Sequence, residues 1–560
     1  MSKKEPIVAI GLDAADPKLI EQWMSSGHLP NISQINDAGV YSRLHNSVNY
    51  NYGSAEFSST EPLWVMMTTG CLPDKTGFWD TITYDPQTYQ VGCDAVYGGY
   101  DYQEYKPFYA LEGLKDKYRV AAFDVPVTRV CPGVNGVQIT GWGGHHPFYP
   151  SESLPAELLP NIVQKYGKNP VYRRDNGIWW DKDYFNWVTE SVKSSVAARS
   201  KICCDLLQQE DWDLFIAGFG ETHTLGHDLY NLSQPDHPLH DYTNKLGTLG
   251  DPMLRGYQQV DRAIGEIVAV APDNAHILLF AVHGMGANHT DLLSMMLLPE
   301  VMYRFNYPGK AALGKGNIDR PAPPIITKNI RGGWSAEVWR QVHEANPIRK
   351  FWETWTHKKF LRGSKHGLLS PYPLLEDNVE LGWMPAVWYS PLWSEMKAFA
   401  LPAYADGHIR INLRGRDRHG IVEPEEYNRI CEEIIDILSR LRDGRSGKLL
   451  VKQVIRTRKS LKDSDPKLPD PDLVVVWHTI ATDLVDSPDL GRIGPITYNR
   501  PGGHREHGFL MAKGPRISSN SKLQSGRAVD VGATILDLMG AKVPDYFDGK
   551  SLLTSSLSVF

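Results

Sequence analysis

Short apolar runs alternate along the chain with longer segments whose apolar residues recur every three or four positions. Four of the runs predict strands, at residues 7–12, 118–123, 212–219 and 277–282, and the first of them has the continuous apolar character of a buried parallel strand. Helical spacing is clear at residues 183–206 and 252–270. Strands that alternate with helices are typical of an α/β fold with a largely parallel sheet, so the pattern predicts that fold class.

The pattern weakens in two places. Residues 145–185 are rich in proline, aromatic and charged residues, which predicts a surface insertion, and residues 300–400 hold seven of the 16 tryptophans without a clear period. We predict that residues 1–299 form the first part of the core, that 300–400 form a tryptophan-rich cap, and that 401–560 complete the core. The tryptophans themselves are expected to pack against the core, because aromatic side chains are mostly packing residues.

In the last part of the chain, the sequence predicts further elements of the core. Residues 408–413 alternate between apolar and polar side chains, which predicts a half-exposed strand. A helix is predicted from Glu423, a strand at 472–477 and another helix at 530–539. The chain therefore continues the α/β pattern after the predicted cap.

Composition excludes several classes of protein. Lys and Arg number 59 against 65 Asp and Glu, a net charge of −6, which gives no reason to expect a nucleic-acid polymer or an anionic membrane as partner. The six cysteines show no CxxC pattern, and no apolar run has the length of a membrane span or a leader peptide. These features predict a reducing, cytoplasmic setting.

Several metal-type side chains directly follow predicted strands. Asp13 follows the first strand, and Asp16 rather than Asp13 is placed to cap the next helix. His223 and His227 follow the 212–219 strand, and His283 follows the 277–282 strand. Because the carboxyl ends of parallel strands meet at one edge of a sheet, these side chains are expected to converge there.

A fourth histidine, His504, lies between glycines near the end of the chain. His223 and His227 are four residues apart, so they share a face if they are helical and can still converge on one ion if they lie in a loop. Imidazoles with one carboxylate suit zinc, and also manganese or iron. The sequence therefore predicts a site for a divalent metal.

Residues 57–80 contain a candidate nucleophile, Thr60. Two interpretations are open: Thr60 caps the helix that follows, or its hydroxyl attacks a substrate bound at that helix N-terminus. Three motifs in the stretch favour the second interpretation: Thr60-x-Pro-x-Trp64, Thr69-Gly-x-x-Pro73 and Lys75-Thr-Gly77.

This stretch resembles the nucleophile segment of the type I phosphodiesterase/nucleotide pyrophosphatase group in the alkaline phosphatase superfamily. The resemblance extends along the chain, because segments 409–422 and 543–552 are also similar and the superfamily's key residues match in order: Asp13, Thr60, His227, His283 and His504. It implies a three-layer α/β sandwich with a largely parallel sheet and inserted cap segments.

The resemblance also implies an activity. It indicates a metal-dependent hydrolase of phosphate esters, diesters in preference to monoesters, whose substrate is a small molecule. In such an enzyme Thr60 attacks phosphorus with the help of divalent ions, and water then releases the phospho-threonine. The implied metal ligands are Asp13, Thr60, His223, His227, His283 and His504, which would hold one or two ions.

Two positions depart from the superfamily pattern. His223 and Val282 stand where the superfamily has aspartates. The first change keeps a ligand but removes a negative charge, and the second removes a ligand, so the ion near Asp13, Thr60 and His283 should bind more weakly. Nearby side chains that could compensate are Glu221, Asn288, His289 and His507.

Two alternatives to the phosphodiesterase stay open. The first is a sulfatase or a phosphoryl- or phosphonate-transfer enzyme of the same superfamily, although a threonine nucleophile argues against a sulfatase. The second is a binding protein with reduced catalytic capacity and an altered metal site, which the loss of a ligand at Val282 favours. The sequence does not predict an oligomeric state.

Overall fold

A central eight-stranded sheet organises the protein. In the computed structural model the described residues are 5–93, 99–143, 149–172, 182–245, 250–317, 319, 333–355, 361–458, 465–517 and 523–553. The strands are β1 (Ile7–Leu12), β2 (Val40–His45), β3 (Ser47–Tyr50), β4 (Gly53–Glu56), β5 (Ile82–Asp85), β6 (Gln90–Cys93), β7 (Val120–Phe123), β8 (Gly136–Thr140), β9 (Glu152–Leu154), β10 (Leu214–Phe219), β11 (His276–Ala281), β12 (Gly284–Ala287), β13 (Ala398–Leu401), β14 (Gly407–Ile411), β15 (Arg442–Asp443), β16 (Val451–Arg456), β17 (Leu473–Trp477), β18 (Val485–Ser487), β19 (Gly491–Ile493), β20 (Gly502–Arg505) and β21 (His507–Lys513).

Helices occupy both sides of this sheet. The α-helices are α1 (Pro17–Ser25), α2 (Pro30–Asp37), α3 (Thr60–Thr69), α4 (Pro73–Thr76), α5 (Leu158–Tyr166), α6 (Lys182–Gln209), α7 (Glu221–Ser233), α8 (His240–Asn244), α9 (Pro252–Val270), α10 (Leu298–Asn306), α11 (Gly333–Gln341), α12 (Pro347–Trp355), α13 (Pro371–Glu376), α14 (Pro385–Trp388), α15 (Tyr427–Ser439) and α16 (Ala528–Met539). Shorter turns of 3₁₀-helix lie at Phe108–Ala110, Glu112–Leu114, Ser390–Glu395 and Pro424–Glu426, and a π-helix at Leu293–Leu297.

The central sheet has the order β2-β21-β11-β1-β10-β7-β8-β9. The five strands from β11 to β8 are parallel, and β21 and β9 run antiparallel to their neighbours. β1 lies in the middle, with Leu12 beside Phe219 of β10 and Gly11 beside Phe280 of β11. The predicted strands 7–12, 118–123, 212–219 and 277–282 are therefore neighbours, and their carboxyl ends share one edge.

Two apolar layers cover the two faces of the sheet. Val8, Ile10 and Leu12 of β1 belong to a core that includes α6, α7 and α9, whereas Ile7 and Ala9 belong to a second core with α3 and α16. Because successive side chains of a strand point to opposite faces, a continuous apolar run serves both layers. The predicted three-layer α/β sandwich is confirmed.

A second, antiparallel sheet has the order β13-β14-β17-β16. The strand predicted at 408–413 is present as β14, but the expected half exposure is wrong, because Arg410 and Asn412 are buried. The Arg410 guanidinium pairs with Asp417 at 3.0 Å, and the Asn412 side-chain amide donates to the Met396 carbonyl at 3.0 Å. These polar side chains are buried because partners satisfy their hydrogen bonds.

The two irregular segments contribute to the core where they are described. In residues 145–185, β9 extends the central sheet and Leu159 and Ile162 of α5 are buried, and the surface insertion expected there stays a prediction. Residues 144–148 and 173–181 lie outside the described residues. In residues 300–400 four tryptophans are buried, and Trp339 meets Trp388 edge to face at 5.5 Å. The division of the chain into core and cap stays a prediction, and residues 318, 320–332 and 356–360 lie outside the described part. Within the described residues, no helix combines the length and the apolar character that crossing a membrane requires.

The segment after Thr60 is held by the end of the chain. Gly70 ends α3 in the left-handed region at φ 67°, and its carbonyl accepts the Asp548 amide at 2.8 Å. The Lys75 ammonium lies 2.6 Å from the Asp548 carboxylate. Two segments that carry the family resemblance are thus in contact, and Lys75 has a structural partner.

A buried ion network connects the ends of the strands. The Arg199 guanidinium of α6 is fully buried and lies 3.0 Å from both Glu221 carboxylate oxygens and 2.9 Å from Asp124 Oδ2. Its Nη1 also donates to the Gly218 carbonyl of β10 at 2.6 Å. Burial raises the pKa of Asp124 to about 6, and the charge of Arg199 opposes that rise. The network joins β7, β10 and the first residue of α7.

Arg199→Met should strongly destabilise the protein, because it leaves Asp124 and Glu221 buried without their cation. Breaking a buried pair in this way costs about 3–5 kcal/mol. Urea unfolding followed by circular dichroism measures the change in midpoint. Arg429→Met is the matched control, because the pairs of Arg429 with Glu426 and Glu433 are exposed. Equal midpoints for the two variants would contradict the structural role of the network.

Candidate active site

The predicted side chains converge at the carboxyl edge of the parallel strands. Asp13 follows β1, and its backbone amide donates to the Phe219 carbonyl of β10 at 3.0 Å. The Thr222 hydroxyl on α7 donates to the Asp13 carbonyl at 2.6 Å. These bonds fix Asp13 against the first turn of α7, whose histidines follow directly.

Three imidazoles form a compact group. His223 and His227 lie one turn apart on α7, and His504 lies on β20. Their Nε2 atoms are 3.2 Å apart for His223 and His227, 2.9 Å for His227 and His504, and 3.0 Å for His223 and His504. The helical alternative for the His223/His227 pair is therefore the one that the structure shows.

Close backbone approach makes this group possible. A side chain at Gly502 on β20 would collide with the Gly226 carbonyl on α7, so the absence of a side chain lets the two elements touch. The Gly502 carbonyl lies 2.8 Å from Nδ1 of His227 and accepts its proton. That bond fixes the tautomer in which the Nε2 lone pair is available.

The group fits a divalent metal ion. Ligand nitrogens at the usual 2.0–2.1 Å from a tetrahedral zinc ion lie about 3.3 Å from one another, close to the separations seen here. Burial lowers the pKa of His227 well below its usual range, with the charge of Arg500 and the neighbouring imidazoles acting in the same direction. A neutral imidazole is the form that binds metals, so His223, His227 and His504 could hold one ion.

A second pair of metal-type side chains lies beside this group. His283 Nε2 is 3.3 Å from Asp13 Oδ1, and both side chains are buried. The Trp64 indole donates to the same Asp13 oxygen at 2.8 Å. The His283 ring is 4.8 Å from that of His504, whereas Val282 is buried in the apolar layer that contains α3 and α16. Asp13 and His283 could thus hold a second ion, with no contribution from Val282.

Thr60 is the first residue of α3, and its hydroxyl faces the imidazole group. Its Oγ1 lies 3.2 Å from Nδ1 and 3.3 Å from Nε2 of His504. Ser59, rather than Thr60, occupies the capping position, and no capping bond is formed by its side chain. The interpretation of Thr60 as a simple helix cap is therefore wrong, and its buried hydroxyl is positioned towards the site.

The possible additional ligands have other partners. Glu221 is directed to Arg199, and its Oε1 also lies 3.3 Å from the Asn169 side-chain amide. The Asn288 Oδ1 accepts the Asp291 amide at 3.1 Å. The His507 Nε2 lies 2.9 Å from His45 Nδ1. The His289 ring makes a hydrogen bond with the Ala287 backbone. We therefore leave these four side chains out of the proposed ligand set.

The sequence analysis did not predict Arg199 as a supporting residue, and it named Trp64 in a motif without predicting its role. Arg199 orients the start of α7, and Trp64 orients the Asp13 carboxylate. The signal for Arg199 is a charged residue on the apolar face of α6, three positions after Val196 and four before Cys203. Trp64 lies over Gly11, where an added Cβ would come 2.7 Å from the indole ring.

The fold and the site together define an α/β protein with an imidazole-rich metal-type centre and a hydroxyl at a helix N-terminus. The model of the type I phosphodiesterase / nucleotide pyrophosphatase family matches residues 7–345, which include all of these residues except His504. The chain belongs to this family, as the sequence predicted. Family membership indicates a phosphoester hydrolase, in a family that is metal-dependent in general.

Solved structures with a similar fold have distant sequences. The chain is similar to the phosphonoacetate hydrolase from Sinorhizobium meliloti 1021 in complex with phosphonoformate, at 13% identity over 96% of both chains, with a TM-score of 0.47. It is also similar to murine and human ectonucleotide pyrophosphatase / phosphodiesterase 5, at 11% and 12% identity over 98% of this chain and 100% of theirs, with TM-scores of 0.46. No curated protein matches the sequence.

His227→Ala should remove an ion from the imidazole group. The variant deletes one of three converging nitrogens and the bond that orients it, so metal content should fall relative to the wild type. Elemental analysis of the purified protein measures this content. His419→Ala, at an exposed histidine stacked on Tyr89, is the control and should keep the wild-type content. Unchanged metal in His227→Ala would contradict the ligand assignment.

Proposed function

We propose that the protein is a metal-dependent hydrolase of small phosphate esters, phosphodiesters in preference to monoesters, that works through a phospho-threonine intermediate on Thr60. The observation that carries the proposal is the position of the Thr60 hydroxyl, within 3.3 Å of both ring nitrogens of His504 in a group that fits a divalent ion. The cytoplasmic setting stays a prediction. A screen of phosphodiesters, phosphomonoesters, sulfate esters and phosphonates tests the proposal.

In the first step, the Thr60 Oγ1 attacks phosphorus as it loses its proton. A bond forms between this oxygen and phosphorus, the bond from phosphorus to the leaving oxygen breaks, and the proton lost by the threonine ends on that oxygen, so that an alcohol leaves. The first amides of α3 have no partner within the helix and face the same edge, so they favour an anionic phosphoryl group. A divalent ion, when bound, supplies positive charge for the phosphoryl oxygens and favours ionisation of a nearby hydroxyl.

In the second step, water attacks phosphorus on phospho-Thr60 and restores the threonine hydroxyl. Trp64 and the buried Asp13 keep their geometry through both steps, because the indole holds the carboxylate from the apolar layer. The other ring nitrogen of His227 stays bonded to Gly502, which keeps its Nε2 directed into the site. The chain's own contribution is therefore orientation of the ligands and of the attacking hydroxyl.

The proposed ligands favour zinc, with manganese or iron as alternatives. Three imidazoles without a carboxylate suit a borderline ion such as zinc. We propose that His223, His227 and His504 bind the better-occupied ion. The second ion site, beside Asp13, Thr60 and His283, has no ligand at Val282, so it should bind its ion with lower affinity. One tightly held ion and one that exchanges readily are expected.

We also propose that residues 300–400 form the cap that sets substrate choice. The Trp334 indole donates to the Thr497 carbonyl at 2.8 Å, which connects residues 300–400 to the segment that precedes β20, the strand of His504. Trp383 packs against Tyr404 at 6.3 Å, and Arg500 lies over the Tyr404 ring at 5.5 Å. These contacts support a position near the functional edge.

A binding protein with reduced catalytic capacity is the second candidate, because Val282 provides no ligand. A sulfatase or a phosphonate-transfer enzyme is the enzymatic alternative, and the screen separates these by substrate. Protein with bound metal and Thr60-dependent turnover supports the hydrolase. Protein without metal and without turnover on any substrate in the screen supports the binding protein.

Thr60→Ala should abolish turnover and leave fold and metal content nearly intact. The buried hydroxyl makes no capping bond, and no other side chain can take its place as nucleophile, so the rate should fall by several orders of magnitude. Thr60→Ser should keep part of the activity. Ser59→Ala, one residue earlier at the capping position, is the control and should stay close to wild type. Near-normal rates in Thr60→Ala would mean that water attacks the substrate directly.

His223→Asp should keep the ion, whereas His223→Ala should weaken its binding. An aspartate at this position restores the ligand type that the resemblance implies, and it adds a negative charge beside two imidazoles. Metal content after dialysis against a weak chelator is the measurement. Equal loss of metal from both variants would show that position 223 needs an imidazole, and equal retention would show that it contributes no ligand.

A further inference from the structure

Among the described residues, a second group of metal-type side chains lies outside the proposed active site. It consists of His45, Glu506 and His507, whose candidate ligand atoms all lie within 4.8 Å of one another. The first group is the one formed by His223, His227 and His504. The second group shares no residue with it, and the proposed reaction does not use it.

Strand register builds this second group. His45 on β2 pairs directly with His507 on β21 in the antiparallel ladder, so both side chains leave the sheet on the same side. His45 Nδ1 lies 2.9 Å from His507 Nε2, and the ring centres are 4.6 Å apart. Glu506 Oε1 lies 2.8 Å from His507 Nδ1. Two imidazoles and a carboxylate therefore meet at one place on the sheet.

The backbone around the group is well fixed. The Asn46 side-chain amide donates to the carbonyls of Val282 at 2.7 Å and Glu506 at 2.8 Å. The His45 amide donates to the Gly526 carbonyl at 2.8 Å. The side chains themselves are partly accessible, with 45% of His45 and 35% of His507 exposed. Small side-chain rotations could thus bring the three ligands around an ion without moving the backbone.

The surrounding charge favours a cation. Besides Glu506, the Glu56 carboxylate lies 3.9 Å from His45 Nε2. The nearby Lys452 ammonium is 2.7 Å from Glu56 and offsets one of these two charges. Arg43, two residues before His45 on the same strand, is paired with Glu21. Arg505 also acts on Glu506, but it faces the buried Asp16 as well. With neutral imidazoles, Glu506, Glu56 and Asp16 therefore outnumber Lys452 and Arg505 by one negative charge.

We propose that His45, Glu506 and His507 form a second site for a divalent transition metal, separate from the active site. Imidazole nitrogens with a carboxylate suit zinc, copper or nickel rather than magnesium or calcium. A bound ion would connect β2 to the start of β21, three residues after His504. The site would therefore stabilise the segment that delivers His504, without contact with the reacting atoms.

Zinc binding to the full chain tests this proposal. The wild type, His45→Ala, His507→Ala and Glu506→Gln are freed of metal and titrated with zinc at micromolar concentrations by calorimetry. His28→Ala, at an exposed histidine away from both groups, is the control. We expect the wild type and His28→Ala to bind one equivalent more than either His45→Ala or His507→Ala, and Glu506→Gln to bind this equivalent more weakly.

A second measurement identifies the ligands. Copper added to the His227→Ala protein should give an electron paramagnetic resonance spectrum with coupling to two nitrogens, which the additional change His45→Ala should reduce to one or none. Circular dichroism checks that each variant folds. If the imidazole group bound no zinc, the stoichiometry of all the variants would fall by the same amount. The difference between the wild type and His45→Ala therefore reports on the second site alone. Equal stoichiometry in all variants, or an extra equivalent bound only at millimolar zinc, would overturn the proposal.

Discussion

The arrangement of the candidate site depends on one buried guanidinium. Arg199 lies between the carboxylates of Asp124 and Glu221, and the rings of Phe123, Trp142 and Phe219 surround it at 5.1–5.4 Å. A charge without solvent requires partners, so the ends of β7 and β10 and the start of α7 must meet there. His223 and His227 follow Glu221 on the same helix. The pairing of Arg199 with Glu221 therefore fixes the start of α7 and, with it, the position of the two imidazoles.

The second determinant of the site is its low count of carboxylates. The imidazole group has none, and Asp13 is the carboxylate in the His283 half, where Val282 lies in the apolar layer. Neutral ligands leave more of an ion's positive charge for an anionic substrate, but they also hold the ion less strongly. A chain with this ligand set should need the orientation that the Gly502 carbonyl gives to His227 to keep its metal.

The sequence predicted the α/β architecture and the positions of the main site residues because continuous apolar runs identify buried strands and strand ends share an edge. Thr60, Asp13, His223, His227, His283 and His504 all come to that edge. It could not predict which neighbours join them, since Glu221, Asn288 and His507 each lie within five residues of a site histidine. Contacts that are distant in sequence decide the role of each. Glu221 binds Arg199, and His507 contacts His45, which lies 462 residues away in sequence on the neighbouring strand. The buried Arg410 and Asn412 likewise depend on partners that alternation does not reveal.

The central claim is that three imidazoles hold an ion beside a nucleophilic threonine. The most direct measurement is anomalous diffraction at the zinc absorption edge from crystals of the active protein. A strong peak bounded by the Nε2 atoms of His223, His227 and His504, with a weaker one or none between Asp13 and His283, is the predicted result. An active protein with no peak at the imidazole group, or with its only strong peak at Asp13 and His283, would contradict the account.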